Sequence, residues 1–212
     1  MLRLMKYLTI DTTTKITALS LAENGSLVGE GFLHTGKTHS ERLVPMLDQL
    51  LNAADWKLKE LDFIAVVRGP GSFTGIRIGI ATAEGLAQVL KIPLIGITTL
   101  DTLAWAGWGR PEETAVILDA RKGEWYYARY RFEKKTMRCI DGPMAITPAD
   151  LISKLEKNER KVLFVGDAVT GAKELLEEGL GEKAVIPLQH QYLPRGAYAA
   201  CEAWACKDQN TG

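Results

Sequence analysis

The chain of 212 residues contains 26 Lys plus Arg, 26 Asp plus Glu and 46% hydrophobic residues. This length allows one large domain or two small ones, and the composition is that of a globular protein. The balanced charge excludes a global field that would draw the chain to nucleic acid or an anionic membrane. No apolar run reaches the roughly 18 residues of a membrane-spanning helix, and the first residues do not resemble a signal peptide. Three cysteines without a Cys-x-x-Cys pair, Cys139, Cys201 and Cys206, lead us to expect a reduced cytoplasmic protein.

In the first half of the chain, three strand-like runs precede alternating helices and strands. Asn24-Gly25 is typical of a tight hairpin because both residues tolerate positive φ. Thr38 and Glu41 could form a capping box for the next helix, although Pro45 predicts a kink or a later start. The predicted elements are strands Tyr7–Asp11, Thr17–Glu23 and Leu27–His34, a helix carrying Leu43–Ala54, strand Phe63–Val67, helix Thr74–Leu90, strand Leu94–Ile97 and helix Leu100–Trp108.

The second half repeats the same order of elements, βββαβαβα. Its predicted elements are strands Ala115–Asp119, Trp125–Phe132 and Met137–Ile140, helix Pro148–Leu155, strand Val162–Val165, helix Gly171–Glu178, strand Ala184–Ile186 and helix Ala197–Cys206. The repetition predicts a duplicated α/β fold with two lobes, residues 1–109 and 110–212, each with a mixed sheet flanked by helices. The alternative is a single doubly wound sheet.

Each half places an aspartate at the end of its first strand. This arrangement resembles the superfamily of sugar kinases, heat-shock protein 70 and actin, in which the two equivalent loops hold phosphate and a metal. The residues that could form vestigial phosphate loops are Asp11, Thr12, Thr13 and Asp119. The nucleotide binders of that superfamily commonly have glycine two positions after the aspartate, whereas here Arg121 and Lys122 precede the first glycine after Asp119. An independent nucleotide-binding phosphotransferase or ATPase is therefore the alternative function, and not the favoured one.

The run from Gly69 to Gly79 lies between a predicted strand and a predicted helix. Such a turn exposes backbone N–H groups at the positive end of a helix, where an anion or a second chain can bind. The run lacks the Gly-x-Gly-x-x-Gly spacing and the Gly-Lys-Ser/Thr ending of nucleotide fingerprints. It therefore does not by itself predict a nucleotide site.

The helix that follows carries small residues four apart, at Gly75, Gly79, Ala83 and Ala87. An interior glycine costs about 1 kcal/mol relative to alanine, so two of them suggest close backbone approach. Apolar or small residues cover about 220° of the helix, more than the roughly 100° needed to pack on a sheet. The excess predicts a second neighbour, either the preceding helix or another protein. We favour both, with the helix pair presenting a small-residue groove to a partner.

Few other residues are candidates for metal binding, catalysis or contact with nucleic acid. His34 and His39 are five apart and His190 is remote, so no pair has the spacing that places two ligands on one helix face. We expect no metal site and no catalytic residue, and we expect His39 to cap or pack near its helix start. A local basic cluster interleaved with tyrosines comprises Arg129, Arg131, Lys134, Lys135 and Arg138. It could contact a tRNA backbone, although a solvated strand edge protected by charge is the favoured interpretation.

Several stretches together resemble the bacterial TsaB (YeaZ) family of tRNA threonylcarbamoyladenosine (t6A) biosynthesis proteins. They are Ile10-Asp11-Thr12, His39-Ser40-Glu41-Arg42-Leu43, the Gly69–Gly79 run, Leu118-Asp119-Ala120-Arg121, Glu124 and Tyr126-Tyr127-Ala128. The resemblance spans most of the first 130 residues and implies the duplicated actin-like fold. It also implies a non-catalytic subunit that pairs with and activates the threonylcarbamoyltransferase TsaD. TsaD binds its metal with two histidines separated by three residues, whereas here Leu43 occupies the position four after His39.

In that family, the first two helices of the N-terminal lobe contact TsaD, and they form a homodimer when TsaD is absent. The resemblance therefore implies a partner-binding surface at Leu43, Leu47, Leu50, Leu51, Gly75, Ile76, Gly79, Ile80, Ala83, Leu86 and Ala87. It implies no cofactor of its own, since the ATPase TsaE brings ATP to the complex, and only indirect contact with tRNA. A homodimeric scaffold serving another pathway is the remaining alternative.

Overall fold

A computed structural model of the chain describes residues 4–34, 39–134 and 136–208. The chain forms two compact units, each built on a five-stranded mixed sheet. The first unit comprises the residues up to Thr102 together with the segment from Pro194 onward, and the second comprises Leu103–Leu193. Within the described ranges, no helix is long and apolar enough to cross a membrane.

The sheet of the first unit has the strand order β3-β2-β1-β4-β5. Strands β1, β2 and β3 are antiparallel neighbours, whereas β4 and β5 run parallel to β1. The strands are β1 (Lys6–Asp11), β2 (Thr17–Glu23), β3 (Ser26–Leu33), β4 (Phe63–Val67) and β5 (Leu94–Ile97). The helices are α1 (His39–Ala53), α2 (Phe73–Leu90) and α3 (Thr99–Ala104), with a 3₁₀ turn at Leu58–Glu60.

The second unit repeats this topology with the order β10-β9-β6-β7-β8. Its strands are β6 (Glu113–Asp119), β7 (Trp125–Glu133), β8 (Thr136–Ile146), β9 (Val162–Val165) and β10 (Ala184–Val185). Its helices are α4 (Pro148–Glu156), α5 (Val169–Leu180) and α6 (Gln189–Tyr192), with 3₁₀ turns at Trp105–Gly107 and Gly181–Lys183. Because β6 occupies the same place in its sheet as β1, the predicted duplication is confirmed, and a single doubly wound sheet is excluded.

Side chains alternate between the two faces of a sheet, and those of the central strands of the first unit are buried on both faces. Leu8 and Ile10 of β1 pack into the core formed with α1 and α2. Tyr7, on the opposite face, packs into a second core together with Ala199 and Ala203 of the last helix, α7 (Gly196–Cys206). The sheet is thus covered by α1 and α2 on one face and by α7 on the other.

The position of α7 differs from the predicted division at residues 109 and 110, which assigned this helix to the second lobe. Its buried face is made of small residues, Gly196, Ala199, Ala200 and Ala203, and this face lies on the sheet of the first unit. Hydrophobic periodicity predicts that a helix has a buried face, but it contains no information about which of two similar sheets that face covers.

Other boundaries also differ from the sequence-based elements. Helix α1 begins at His39 and continues through Pro45, where a kink or a later start was expected. Burial of Leu43, Met46 and Leu47 offsets the donor that Pro45 lacks, so tertiary packing outweighs local propensity here. The expected capping residue Thr38 lies outside the described residues. Strand β8 is longer than predicted, α3 gives way to a 3₁₀ turn, and the short helix α6 was not predicted.

Candidate protein-interaction surface

The loop between β1 and β2, residues 12–16, is closed by the start of α2. The hydroxyl of Thr12 donates a 2.7 Å hydrogen bond to the carbonyl oxygen of Gly75, and the carbonyl oxygen of Thr13 accepts a 2.6 Å bond from the amide of Ser72. The hydroxyl of Thr13 donates to Asp11 at 2.7 Å, while that of Thr14 accepts from the amide of Ile16 at 3.1 Å. All three threonines are buried, and their hydroxyl groups are engaged by neighbours within the first unit.

The glycines of α2 permit this close approach. A Cβ atom on Gly75 would overlap the carbonyl oxygen of Thr12, and one on Gly79 would overlap its hydroxyl oxygen. Gly71 lies just before the helix with φ of 154°, and a Cβ atom on it would likewise overlap the carbonyl oxygen of Thr13. The close-approach interpretation is therefore correct. Gly75 and Gly79 approach a loop of their own unit that the sequence did not indicate, while Ala83 and Ala87 share a core with α1, one of the two expected neighbours.

His39, at the start of α1, contacts the same loop. Its Nε2 lies 2.9 Å from the carbonyl oxygen of Thr14, and its Nδ1 lies 2.7 Å from the hydroxyl of Thr17. Because a carbonyl oxygen only accepts, Nε2 carries the donated proton. The prediction that His39 packs near its helix start is confirmed.

The face of α2 opposite these glycines is open to solvent and partly apolar. Phe73 and Val89 are 66% and 79% exposed, although the guanidinium of Arg77 lies 3.9 Å from the centre of the Phe73 ring. Between them Ala81 and Gly85 are exposed, and a Cβ atom on Gly85 would meet nothing within 4 Å. A small-residue surface therefore exists on α2, one helix face away from the predicted one.

A groove of about 370 Å³ runs beside this face, between α1, α2 and the Leu58–Glu60 turn. Val44, on the α1 side of this groove, is 58% exposed. The groove is lined by Val44, Leu47, Asp48, Leu51, Asn52, Trp56, Lys57, Leu58 and Leu86. We refer to this groove and the exposed residues Phe73, Arg77, Ala81, Gly85 and Val89 as the helical face.

The predicted partner-binding residues divide by their accessibility. Seven of them are buried within the first unit: Leu43, Leu47, Leu51, Gly75, Gly79, Ala83 and Ala87. Four are partly exposed: Leu50, Ile76, Ile80 and Leu86. The buried set contributes mainly to the core, so the accessible part of these helices combines the four partly exposed residues with exposed ones that the helical pattern did not select, namely Val44, Phe73, Ala81, Gly85 and Val89.

The equivalent loop of the second unit, between β6 and β7, is exposed and acidic at its base. Asp119 accepts a 2.7 Å hydrogen bond from the amide of Arg121, and its own amide donates to Asp167 at 3.2 Å. Burial raises the pKa of Asp167 above its ordinary value, with a further contribution from the Asp119 carboxylate, while the amide hydrogen bond acts in the opposite direction. Arg121 and Lys122 both have positive φ, so bulky residues occupy the tight turn.

The basic cluster of β7 and β8 is largely neutralised. Glu113, a buried carboxylate that sequence reasoning missed, accepts hydrogen bonds from Arg129 at 3.1 Å, from Asn158 at 3.2 Å and from Arg131. Arg138 pairs with Glu133 at 3.4 Å. The arginines thus belong to ion pairs within their own unit, and Lys135 lies outside the described residues. This arrangement does not favour a free cationic strip for a tRNA backbone.

Among residues 4–34, 39–134 and 136–208, no three His, Cys, Asp or Glu side chains come together in a way that could hold a metal ion. His39 is instead engaged by the carbonyl oxygen of Thr14 in the β1–β2 loop and by the hydroxyl of Thr17 at the start of β2.

Comparisons with known proteins agree with the motifs. A family model described as "TsaD: tRNA N6-adenosine threonylcarbamoyltransferase" matches residues 33–206. The chain is 33% identical to the "tRNA threonylcarbamoyladenosine biosynthesis protein TsaB" of Bacillus subtilis (strain 168), over 90% of this chain and 83% of that protein. It is 40% identical to the protein of the same name from Escherichia coli (strain K12), over 78% of this chain and 70% of that protein.

A solved structure supports the same relationship at the level of the fold. "YeaZ from Pseudomonas aeruginosa" superposes with a TM-score of 0.78 at 26% identity, covering 98% of this chain and 94% of that one. The duplicated sheets have the actin-like architecture predicted from the paired strand-end aspartates. On these grounds the chain belongs to the TsaB (YeaZ) family of t6A biosynthesis proteins.

Proposed function

We propose that this protein is a non-catalytic accessory subunit of t6A modification, which pairs with a TsaD-type threonylcarbamoyltransferase through the helical face and activates it. The observation that carries the proposal is the exposure of Val44, Phe73 and Val89 on two adjacent helices of one unit. Apolar side chains gathered on one surface mark protein contacts far more often than apolar side chains scattered singly. Ala81 and Gly85 between them allow a partner helix to approach closely.

The family model for the transferase matches most of the chain, so the chain is related to the enzyme that it would serve. A departure from that enzyme supports an accessory role rather than catalysis. The paired histidines of TsaD have no counterpart at the start of α1, where Leu43 is buried four residues after His39. Within the described residues, His39 is occupied by hydrogen bonds to the β1–β2 loop, which leaves its ring nitrogens engaged within the unit.

The same geometry supports the proposal that the chain has no nucleotide cofactor of its own. The threonine hydroxyls of the β1–β2 loop are buried and hydrogen-bonded, and α2 covers the loop. A TsaE-type ATPase would then bring ATP to the complex, and tRNA would contact the assembly mainly through other subunits. In the absence of TsaD, the helical face would form a homodimer contact, because it leaves apolar area exposed to water.

The experiment that tests the pairing is a binding titration between the two purified proteins by isothermal calorimetry. Val89→Asp and Gly85→Arg place a charge or a long side chain on the helical face without disturbing a buried contact. We expect each variant to lose at least about tenfold in affinity, because an unpaired charge at the centre of an interface opposes binding strongly. Val89→Asp is expected to keep the wild-type unfolding temperature, and Gly85→Arg to keep or raise it, because arginine is a better helix former than glycine.

The matched control is Leu175→Asp, which puts the same charge at an exposed apolar position of α5 in the second unit. It is expected to bind as the wild type does. Unchanged affinity of both helical-face variants would exclude this surface as the contact. Absence of binding by the wild type would exclude the pairing itself.

A further inference from the structure

The β1–β2 loop touches the beginnings of both helices that carry the helical face. It binds α1 through the ring of His39 and α2 through the Thr12 and Thr13 bonds described above. The contact with α1 and the contact with α2 lie next to each other, because a Cβ atom on Gly75 would lie 3.4 Å from Cδ2 of His39. One short buried segment is therefore in contact with the first turn of each helix.

We propose that this loop is the positioning element of the partner-binding surface, with Thr12 and His39 as its positioning residues. They touch no partner and act by setting where α2 lies relative to α1, and hence how well the helical face fits its partner. This inference rests on the proposed function, since it concerns the affinity of that same face.

Packing at this junction leaves no free space. The overlaps that Cβ atoms on Gly75 and Gly79 would create show that α2 lies directly on the loop. Protein interiors at such density transmit a displacement rather than absorb it. A helix moves as a rigid rod, so a shift at Gly79 would reach the exposed Val89 ten residues later on α2.

Two hydrogen bonds also fix the arrangement of the loop against α2. The bond from Thr12 to the Gly75 carbonyl and the bond from Ser72 to the Thr13 carbonyl are both buried, and leaving a buried polar group without a partner is costly. The loop therefore has one strongly preferred arrangement against α2. The hydroxyl of Thr12 is thus engaged by α2, while those of Thr13 and Thr14 are engaged by Asp11 and Ile16.

A pair of compensating substitutions tests the proposal. In Gly79→Ala, the new methyl group overlaps the hydroxyl oxygen of Thr12, so either Thr12 rotates and loses its bond to the Gly75 carbonyl or α2 moves away from the loop, and both disturb the attachment of α2. In the double variant Thr12→Ala/Gly79→Ala that oxygen is gone, and the next nearest atoms, Cγ2 of Ile10 and Cβ of Thr12, lie at an ordinary 3.7 Å. Gly171→Ala is the control, because this helical glycine of α5 has nothing within 4 Å of its added Cβ.

We expect Gly79→Ala to weaken binding to the TsaD-type partner about tenfold, which is within the range for residues that act through a coupled element. The double variant is expected to return to within about twofold of the Thr12→Ala single variant, because removal of the overlap makes the two substitutions strongly non-additive. Equal affinity of Gly79→Ala and wild type, or no recovery in the double variant, would overturn the proposal.

A second variant keeps the test decisive if Gly79→Ala does not fold. Thr12→Val retains the shape of the side chain and removes only the hydroxyl that bonds the Gly75 carbonyl. Amide hydrogen exchange of α1 and α2 is expected to quicken at the first turns of both helices, and partner affinity to fall several-fold. Unchanged exchange together with unchanged affinity would overturn the positioning role.

Failure of this inference and failure of the proposed function give different results. If the wild type binds the partner and only the positioning variants behave as wild type, the positioning role is wrong and the proposed function stands. If the wild type does not bind the partner, the proposed function is wrong. Hydrogen exchange then decides the positioning role alone: exchange at the start of α1 that is faster in Gly79→Ala than in wild type, and that returns in the double variant to the level of Thr12→Ala, supports it, and unchanged exchange in Gly79→Ala overturns it.

Discussion

The hydroxyl of Thr12 donates a 2.7 Å hydrogen bond to the carbonyl oxygen of Gly75, and this hydroxyl oxygen also occupies the space that a Cβ atom on Gly79 would need. This contact explains why a long helix tolerates two glycines near its start, at a cost of about 1 kcal/mol each. The glycines admit a buried loop of the same unit, so the surface available to another protein lies on the opposite face of the helix.

Two glycines of α2 are expected to respond in opposite ways to alanine. Gly75→Ala drives a methyl group into the backbone carbonyl of Thr12, which cannot rotate away, and should lower the free energy of unfolding by about 2 kcal/mol or more. Gly85→Ala meets open space and should raise it by up to about 1 kcal/mol through helix propensity. Scanning calorimetry of the two variants measures both effects. Similar shifts in the same direction would contradict the packing described here.

Removal of the buried Glu113 carboxylate should destabilise the second unit strongly. Glu113→Ala leaves Arg129, whose side chain is only 16% exposed, without its main anionic partner. The expected loss in the free energy of unfolding is about 3 kcal/mol. Arg138→Ala removes an ion pair at a side chain that is 65% exposed, and should cost less than about 1 kcal/mol. Chemical denaturation distinguishes the two, and comparable losses would argue against an internal role for Glu113.

The raised pKa of Asp167 predicts that Asp167→Asn raises the unfolding temperature by an amount that depends on pH. Burial makes the folded state hold the proton more tightly than the unfolded state, so ionisation of this carboxyl opposes folding. The penalty is fully present above the raised pKa and disappears below the ordinary value of 3.8. Asp167→Asn should therefore raise the unfolding temperature at pH 7.5 relative to wild type, and the difference should shrink as the pH falls.

The control for this pH series is Glu182→Gln, at an exposed position in the same unit. Its difference from wild type should stay small at every pH. A gain for Asp167→Asn that is constant with pH would show that ionisation of Asp167 is not its cause.

Because α7 packs on the first unit, damage to it should weaken that unit specifically. Trp204 stacks on Tyr7 with ring centres 5.9 Å apart, and its ring lies against Gly25 of the β2–β3 hairpin. Trp204→Ala should cost about 3 kcal/mol and accelerate hydrogen exchange in β1 while leaving β6 unchanged. Trp108→Ala, at a 45% exposed residue of the second unit, serves as the comparison. Faster exchange confined to β6 in Trp204→Ala would contradict the observed position of α7.

Elements with a strong local signal could be predicted from the sequence. The Asn24-Gly25 hairpin and the four-residue spacing along α2 both depend on neighbours close in the chain, and both are observed. The identity of the neighbour that fills a helix face depends on the tertiary fold. For this reason the pattern at Gly75 and Gly79 indicated close approach without revealing that the approaching group is Thr12.

The sequence predicts a partner-binding surface on α1 and α2, and the structure adds which side chains of these helices are exposed. An apolar residue counts toward a core in any periodicity argument, so Phe73 and Val89 could not be recognised as exposed before the fold was known. Glu113 was missed for the converse reason, since a charged residue at the start of a strand is normally exposed. The exposure of Phe73 and Val89 and the burial of Glu113 both depend on which surfaces the fold covers.

The most direct test of the central claim is a reconstitution of t6A formation on unmodified tRNA from the purified pathway proteins, with and without this chain. We expect repeated turnover only when the chain is present, no product from the chain alone, and a matching loss with the Val89→Asp variant but not with Leu175→Asp. Unchanged turnover in the absence of the chain would contradict the accessory role.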